Sequence, residues 1–105
     1  MPRQIFVNLP VRDLERSKAF FSGLGFDFNA QFTDEKAACM VVEDNISVML
    51  LAEPFFKTFT SKAVADAKKS TEVLVCLQDH RFVYQHAFED PDGHIWELVH
   101  MRGQP

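Results

Sequence analysis

The amino-acid sequence predicts an α+β fold: strand, helix and three strands, then a second strand-rich segment. Three patterns predict it. A single stretch with helical spacing, Asp13 to Gly25, interrupts sequence that otherwise reads as strand. Polar and apolar residues alternate with period two over Phe26–Phe32 and again over Phe82–Glu89. The chain then closes on two strand-like runs joined by Asp90-Pro91-Asp92-Gly93. These periods separate the two structures because side chains alternate across a strand but return about every 3.6 residues on a helix.

Ile5–Val11 is a short apolar run with β-branched members, and Pro10 limits ladder bonding near its end, so it reads as a strand entering a loop. Asp13 stands at an N-cap position. Leu14, Phe20, Phe21 and Leu24 fall near one helical face, and Gly23 and Gly25 supply a stop. The alternation from Phe26 to Phe32 predicts a half-buried strand. Ala37–Val42 and Ile46–Ala52 are two more, joined by the turn-prone Glu43-Asp44-Asn45. Pro54–Phe59 and Ser61–Lys69 form a connector, helical in part, with Pro54 at its start. Phe55, Phe56 and Phe59 are expected to seal the end of a sheet more often than to touch a ligand or partner.

Glu72–Gln78 predicts a strand with Val73, Val75 and Leu77 facing one way and Glu72, Leu74 and Cys76 the other. In the next strand Phe82, Tyr84, His86 and Phe88 oppose Val83, Gln85 and Ala87. In the closing turn, Pro91 presets φ, the Asp side chains bond nearby amides, and Gly93 tolerates positive φ. Beyond it Ile95, Glu97, Val99 and Met101 oppose Trp96, Leu98 and His100. Glu97 is therefore a carboxylate flanked on its own face by apolar residues.

A chain of 105 residues with 47% hydrophobic composition is expected to form one domain with a modest core. Its formal charge of −4 and the lack of a Lys/Arg run argue against nucleic acid. No apolar stretch approaches the roughly 20 residues of a membrane span, and no signal-peptide pattern opens the chain, so a cytoplasmic protein is expected. Cys39 and Cys76 sit apart in apolar runs and read as reduced core residues. The eleven Phe residues could line a cup, though a Phe-rich core accounts for them equally well.

The ending Phe88-Glu-Asp-Pro-Asp-Gly-His-Ile-Trp-Glu-Leu-Val-His-Met101 resembles the last hairpin of the vicinal oxygen chelate superfamily. This superfamily includes glyoxalase I, extradiol dioxygenases, and fosfomycin and bleomycin resistance proteins. The opening Phe6-Val-Asn-Leu-Pro-Val-Arg-Asp-Leu-Glu-Arg-Ser-Lys-Ala-Phe-Phe21, followed by Gly23-Leu-Gly-Phe26, resembles its first strand and helix. The resemblance implies paired βαβββ modules forming a curved mixed-sheet cup. Module one would span about 1–53, the connector 54–71 and module two 72–105. It also implies a homodimer, because family halves commonly complete one another across chains.

The second module departs from the pattern. A helical crossover takes at least about 10 to 12 residues, yet Asp79, His80 and Arg81 alone separate the two predicted strands. The alternatives are a deletion that turns the crossover into a hairpin and, as the favoured reading, a segment missing from the sequence.

The resemblance places metal-ligand positions at Phe6, with Asn8 two residues on, and at Met49, Glu72 and Glu97. An ion needs at least three well-placed N or O donors. Phe6 offers none and Met49 only a soft thioether, so zinc, nickel, manganese or iron would rest on Glu72 and Glu97. The leading expectation is therefore a small organic ligand in a cup lined by Phe6, Asn8, Met49, Glu72 and Gln85, with Glu97 as a general base or as a binder of cationic or hydroxylated groups. The alternative is a metal-dependent lyase, isomerase or dioxygenase on the same frame, and a non-catalytic dimer module is a third. His94 is expected to bond backbone in its turn, His86 to be buried or at a rim, and His100 to face away from Glu97.

Overall fold

The computed structural model describes residues 3–79 and 86–99. Two compact units divide the chain at Val64/Ala65, inside the predicted connector.

In the first unit, β1 (Ile5–Val11), β2 (Asp27–Phe28), β3 (Ala37–Glu43) and β4 (Ile46–Ala52) form a sheet in the order β1-β4-β3-β2. β1 runs parallel to β4, whereas β3 is antiparallel to both of its neighbours. A parallel partner cannot be reached by a tight turn, and helix α1 (Leu14–Gly23) belongs to the crossover that makes the pairing possible. Asp13 caps it as predicted, its carboxylate accepting from the Arg16 backbone N–H at 3.1 Å. Gly25, at φ 96°, turns the chain after the helix. The helix buries Leu14, Ser17 and Phe21 and packs on β3 and β4. Its partner face carries Leu9, Val11, Val48, Leu50 and Met40, all buried.

One expectation fails in this unit. The strand predicted over Phe26–Phe32 stops at Phe28, and Ala30–Phe32 is a 3₁₀ turn with Phe32 58% exposed. Asn29 is the cause: its side chain accepts from the Gln31 N–H at 3.0 Å, while Thr33 Oγ1 donates to its carbonyl at 2.7 Å. These local bonds compete with the ladder. In the connector, helix α2 (Glu53–Phe56) and a 3₁₀ turn at Lys57–Phe59 form where Pro54 predicts a start. Ser61–Lys69 contains no helix; its order comes from Asp66, whose carbonyl accepts from Lys69 and Ser70 and whose carboxylate accepts from the Lys68 N–H. Phe55 and Phe59 meet edge to face at 5.1 Å, with Phe59 exposed.

In the second unit, β5 (Leu74–Gln78), β6 (His86–Glu89) and β7 (Ile95–Val99) form a sheet in the order β5-β7-β6. β5 is parallel to β7 and β6 antiparallel to it, which repeats the β1-β4-β3 arrangement of the first unit. β5 and β6 flank β7, so they are not a hairpin. Gln78 lies opposite Val99 and His86 opposite Leu98, so the end of β5 and the start of β6 sit at the same end of β7. The expected helical crossover falls between β5 and β6, on positions of which 80–85 lie outside the described residues. Positions 82–85 of the predicted Phe82–Glu89 strand lie outside the described residues.

Candidate functional site

Register decides which of the predicted site residues share a face. In the first unit Asn8 lies directly opposite Met49, and Phe6 opposite Ser47. Met49 in turn lies opposite Cys39. Phe6, Asn8 and Met49 thus occupy the sheet face opposite the helix. Phe6 is 52% exposed, Asn8 is exposed and Met49 half-buried, whereas Cys39 beside them is buried.

In the second unit Glu97 lies opposite Cys76 on one side and Ala87 on the other, half-buried between Ile95 and Val99 of its own strand. Trp96 and Leu98 occupy the opposite face with Val75 and Phe88, as the alternation predicts. Cys76 is exposed, which corrects its reading as a core residue. His86 is likewise exposed.

Glu72 lies outside the strand. β5 begins at Leu74, and Glu72 sits in a bend before it, exposed and four residues ahead of the register partner of Glu97. Among the described residues no group of three His, Cys, Asp or Glu side chains converges. Phe6, Asn8 and Met49 bring one amide oxygen and one thioether. Within each unit, the described residues at the predicted ligand positions thus supply fewer than the three suitable donors that the implied divalent ion would need. Gln85, His80 and His100 lie outside the described residues.

The most organised polar group is one that the sequence reveals only in part. Asp90, its side chain 1% exposed, accepts four N–H groups: the backbone amides of Asp92 and His94, each at 3.0 Å, His94 Nδ1 at 2.9 Å and Trp96 Nε1 at 3.1 Å. Because the carboxylate has no proton to give, the consistent arrangement has Nδ1–H of His94 donating. Burial opposes ionisation of Asp90, but the bond and charge of His94, the Trp96 indole and the His94 amide outweigh it and hold the carboxyl below its ordinary value. The expectation that His94 bonds backbone is thereby corrected, since its ring serves a carboxylate. The backbone closes the same turn, with the Gly93 N–H donating to Asp90 O at 2.9 Å and the Asp90 N–H to His94 O at 3.0 Å. Spacings of four and six residues from Asp90 to His94 and Trp96 are the signal in the sequence. Glu97 follows Trp96 directly, so this cage fixes where β7 begins.

A family model described as bleomycin resistance protein-like N-terminal matches residues 3–43, from before β1 to the end of β3. No curated protein sequence matches the chain. Solved structures are similar along nearly the whole length. A glyoxalase-related enzyme from Fulvimarina pelagi superposes with a TM-score of 0.77 at 16% identity, covering 100% of this chain and 92% of its own. The hypothetical protein SA1046 from S. aureus gives 0.73 at 21%, covering 96% and 95%. TnmS3, an antibiotic binding protein from a Streptomyces species, gives 0.62 at 18%, covering 95% and 96%.

Proposed function

From a chain that has the fold of the vicinal oxygen chelate superfamily, we infer a protein that binds a small organic molecule without help from a metal. One observation carries this reading: Phe6, Asn8 and Met49 share an open sheet face where metal-binding relatives would need donors. Replacing donors by a ring and a thioether removes the ion but leaves apolar surface that a ligand can cover. The likeness to an antibiotic binding protein points the same way.

In the second unit Glu97 is the carboxylate we assign to ligand recognition or proton transfer, with Gln85 and Glu72 as further lining. The alternative is a metal-dependent lyase, isomerase or dioxygenase that would hold its ion on Glu72 and Glu97. No helix among the described residues is long and apolar enough to cross a membrane. A cytoplasmic homodimer remains the assembly we propose.

The test combines two measurements. Fragment screening by NMR is expected to yield compounds that move the Met49 methyl and Asn8 side-chain amide resonances. Calorimetry with nickel, zinc and manganese is expected to give no binding to the chain or to Glu97→Gln. Tight one-to-one metal binding that Glu97→Gln abolishes would overturn the reading.

A further inference from the structure

We propose that the open face of the first sheet selects a neutral, ring-bearing molecule with a hydroxyl or carbonyl on its edge, and rejects anions. This rests on the reading that the face is a ligand site.

The face is defined by register. Phe6 and Asn8 of β1, Ser47 and Met49 of β4, and Val41 of β3 lie on its accessible part, while Ala37, Cys39 and Leu51 on the same face are buried. The positions that β1, β3 and β4 contribute to it hold no Lys or Arg. Arg3 and Arg12, which flank β1, lie outside the strand. An anion docked there would give up water without meeting a counter-charge from these strand positions, a large penalty for any ionised group. The formal charge of −4 adds repulsion at longer range. An ammonium group fares little better, since the one acidic position on the face is Asp27, on the edge strand beyond β3.

What the face does offer suits a neutral ring. The Phe6 ring is 52% exposed while Phe21 and Phe26 are buried, so it provides a stacking surface that the core does not use. Met49 adds a polarisable, adaptable side chain beside Asn8. Asn8 lies two residues along the strand from Phe6, about 7 Å, so a ring stacked on Phe6 brings its edge to the amide. That amide both donates and accepts, matching a hydroxyl or a carbonyl; a carboxylate would use its N–H groups alone.

The experiment compares two probes of one shape, 2-naphthol and 2-naphthoate, near pH 7, where a phenol-type hydroxyl stays neutral and a carboxyl is ionised. The full chain, carrying ¹³C-methyl Met and ¹⁵N labels, is titrated with each. Naphthol is expected to shift the Met49 methyl and the Asn8 side-chain amide saturably, and naphthoate to bind at least about tenfold more weakly. Phe6→Ala should weaken naphthol several-fold. Asn8→Lys, at an exposed position, should reverse the order and favour naphthoate. Equal binding of both probes at these resonances, or an unchanged order in Asn8→Lys, would overturn the selectivity and leave the site standing. Probes that bind without moving either resonance, or not at all, would remove the site itself and the selectivity with it.

Discussion

The Asp90 cage supports a quantitative expectation. Asp90→Asn keeps the shape of the side chain but removes its charge and exchanges one acceptor oxygen for an NH₂ group. Four N–H donors then face one oxygen and one NH₂ group, so donors meet donors either at the Trp96 and His94 rings or at the Asp92 and His94 backbone amides. Leaving a buried donor unsatisfied costs about 1–3 kcal/mol, and bonds to a charged acceptor are worth about 1.5–3 kcal/mol each. The desolvation cost that Asp90 itself carries is relieved, which offsets part of the loss. A net destabilisation of about 2–4 kcal/mol is expected, a large share of the 5–15 kcal/mol typical of a domain. The chain has one tryptophan, Trp96, and it is fully buried against the cage, so its emission during urea unfolding reports the second unit directly. The pH dependence has a definite sign. A carboxyl whose folded value is depressed contributes its full stabilisation above the ordinary value and loses it as pH falls through the folded value. Trp96 emission should therefore hold until below about pH 4, and that acid step should vanish in Asp90→Asn. A variant within about 0.5 kcal/mol of the parent, with the acid step intact, would refute the reasoning.

Three further outcomes follow from local geometry. Gly93→Ala should destabilise by about 2–4 kcal/mol in thermal unfolding, because the residue has φ +97° and a Cβ there would lie 2.8 Å from the Lys68 backbone nitrogen. Asp13→Ala should cost about 1 kcal/mol through loss of the α1 cap, read as a lower urea midpoint with an unchanged slope. A maleimide should label exposed Cys76 in the native protein while Cys39, 2% exposed, reacts only after unfolding; equal labelling of both would contradict the burial assigned here.

What was legible in the sequence divides along physical lines. β4, α1 and its Asp13 cap follow from short-range signals, and the strand faces follow from period two even where strand ends shift. Pairing was not legible. That Asn8 lies opposite Met49, or that Glu97 lies opposite Cys76, depends on which strands are parallel and in what register, and no local pattern carries that. The Phe26–Phe32 reading failed because alternation signals a strand without registering that Asn29 and Thr33 offer the backbone other bonds. The Asp90 turn was legible as a turn, but its capture of the Trp96 indole and the His94 imidazole requires the fold to bring β7 back over it.

The repeated strand order explains why such a cage is needed in one unit and not in the other. In the first, α1 covers one sheet face, and Phe21 with its neighbours fixes that face by packing. In the second, no helix is found among the described residues, yet Trp96 and Leu98 are fully buried. A three-stranded sheet of short strands has little ladder to hold its register, and a slip of one residue would exchange Trp96 with Glu97 between faces. Asp90 prevents that slip by gripping the indole of Trp96 and the turn before it together. If this is right, Asp90→Asn should disorder the β7 register while leaving α1 and the first sheet folded. Amide exchange would then rise across β5 to β7 and stay unchanged from β1 to β4, whereas a uniform rise along both units would show that the carboxylate supports the whole chain and not the register of one sheet.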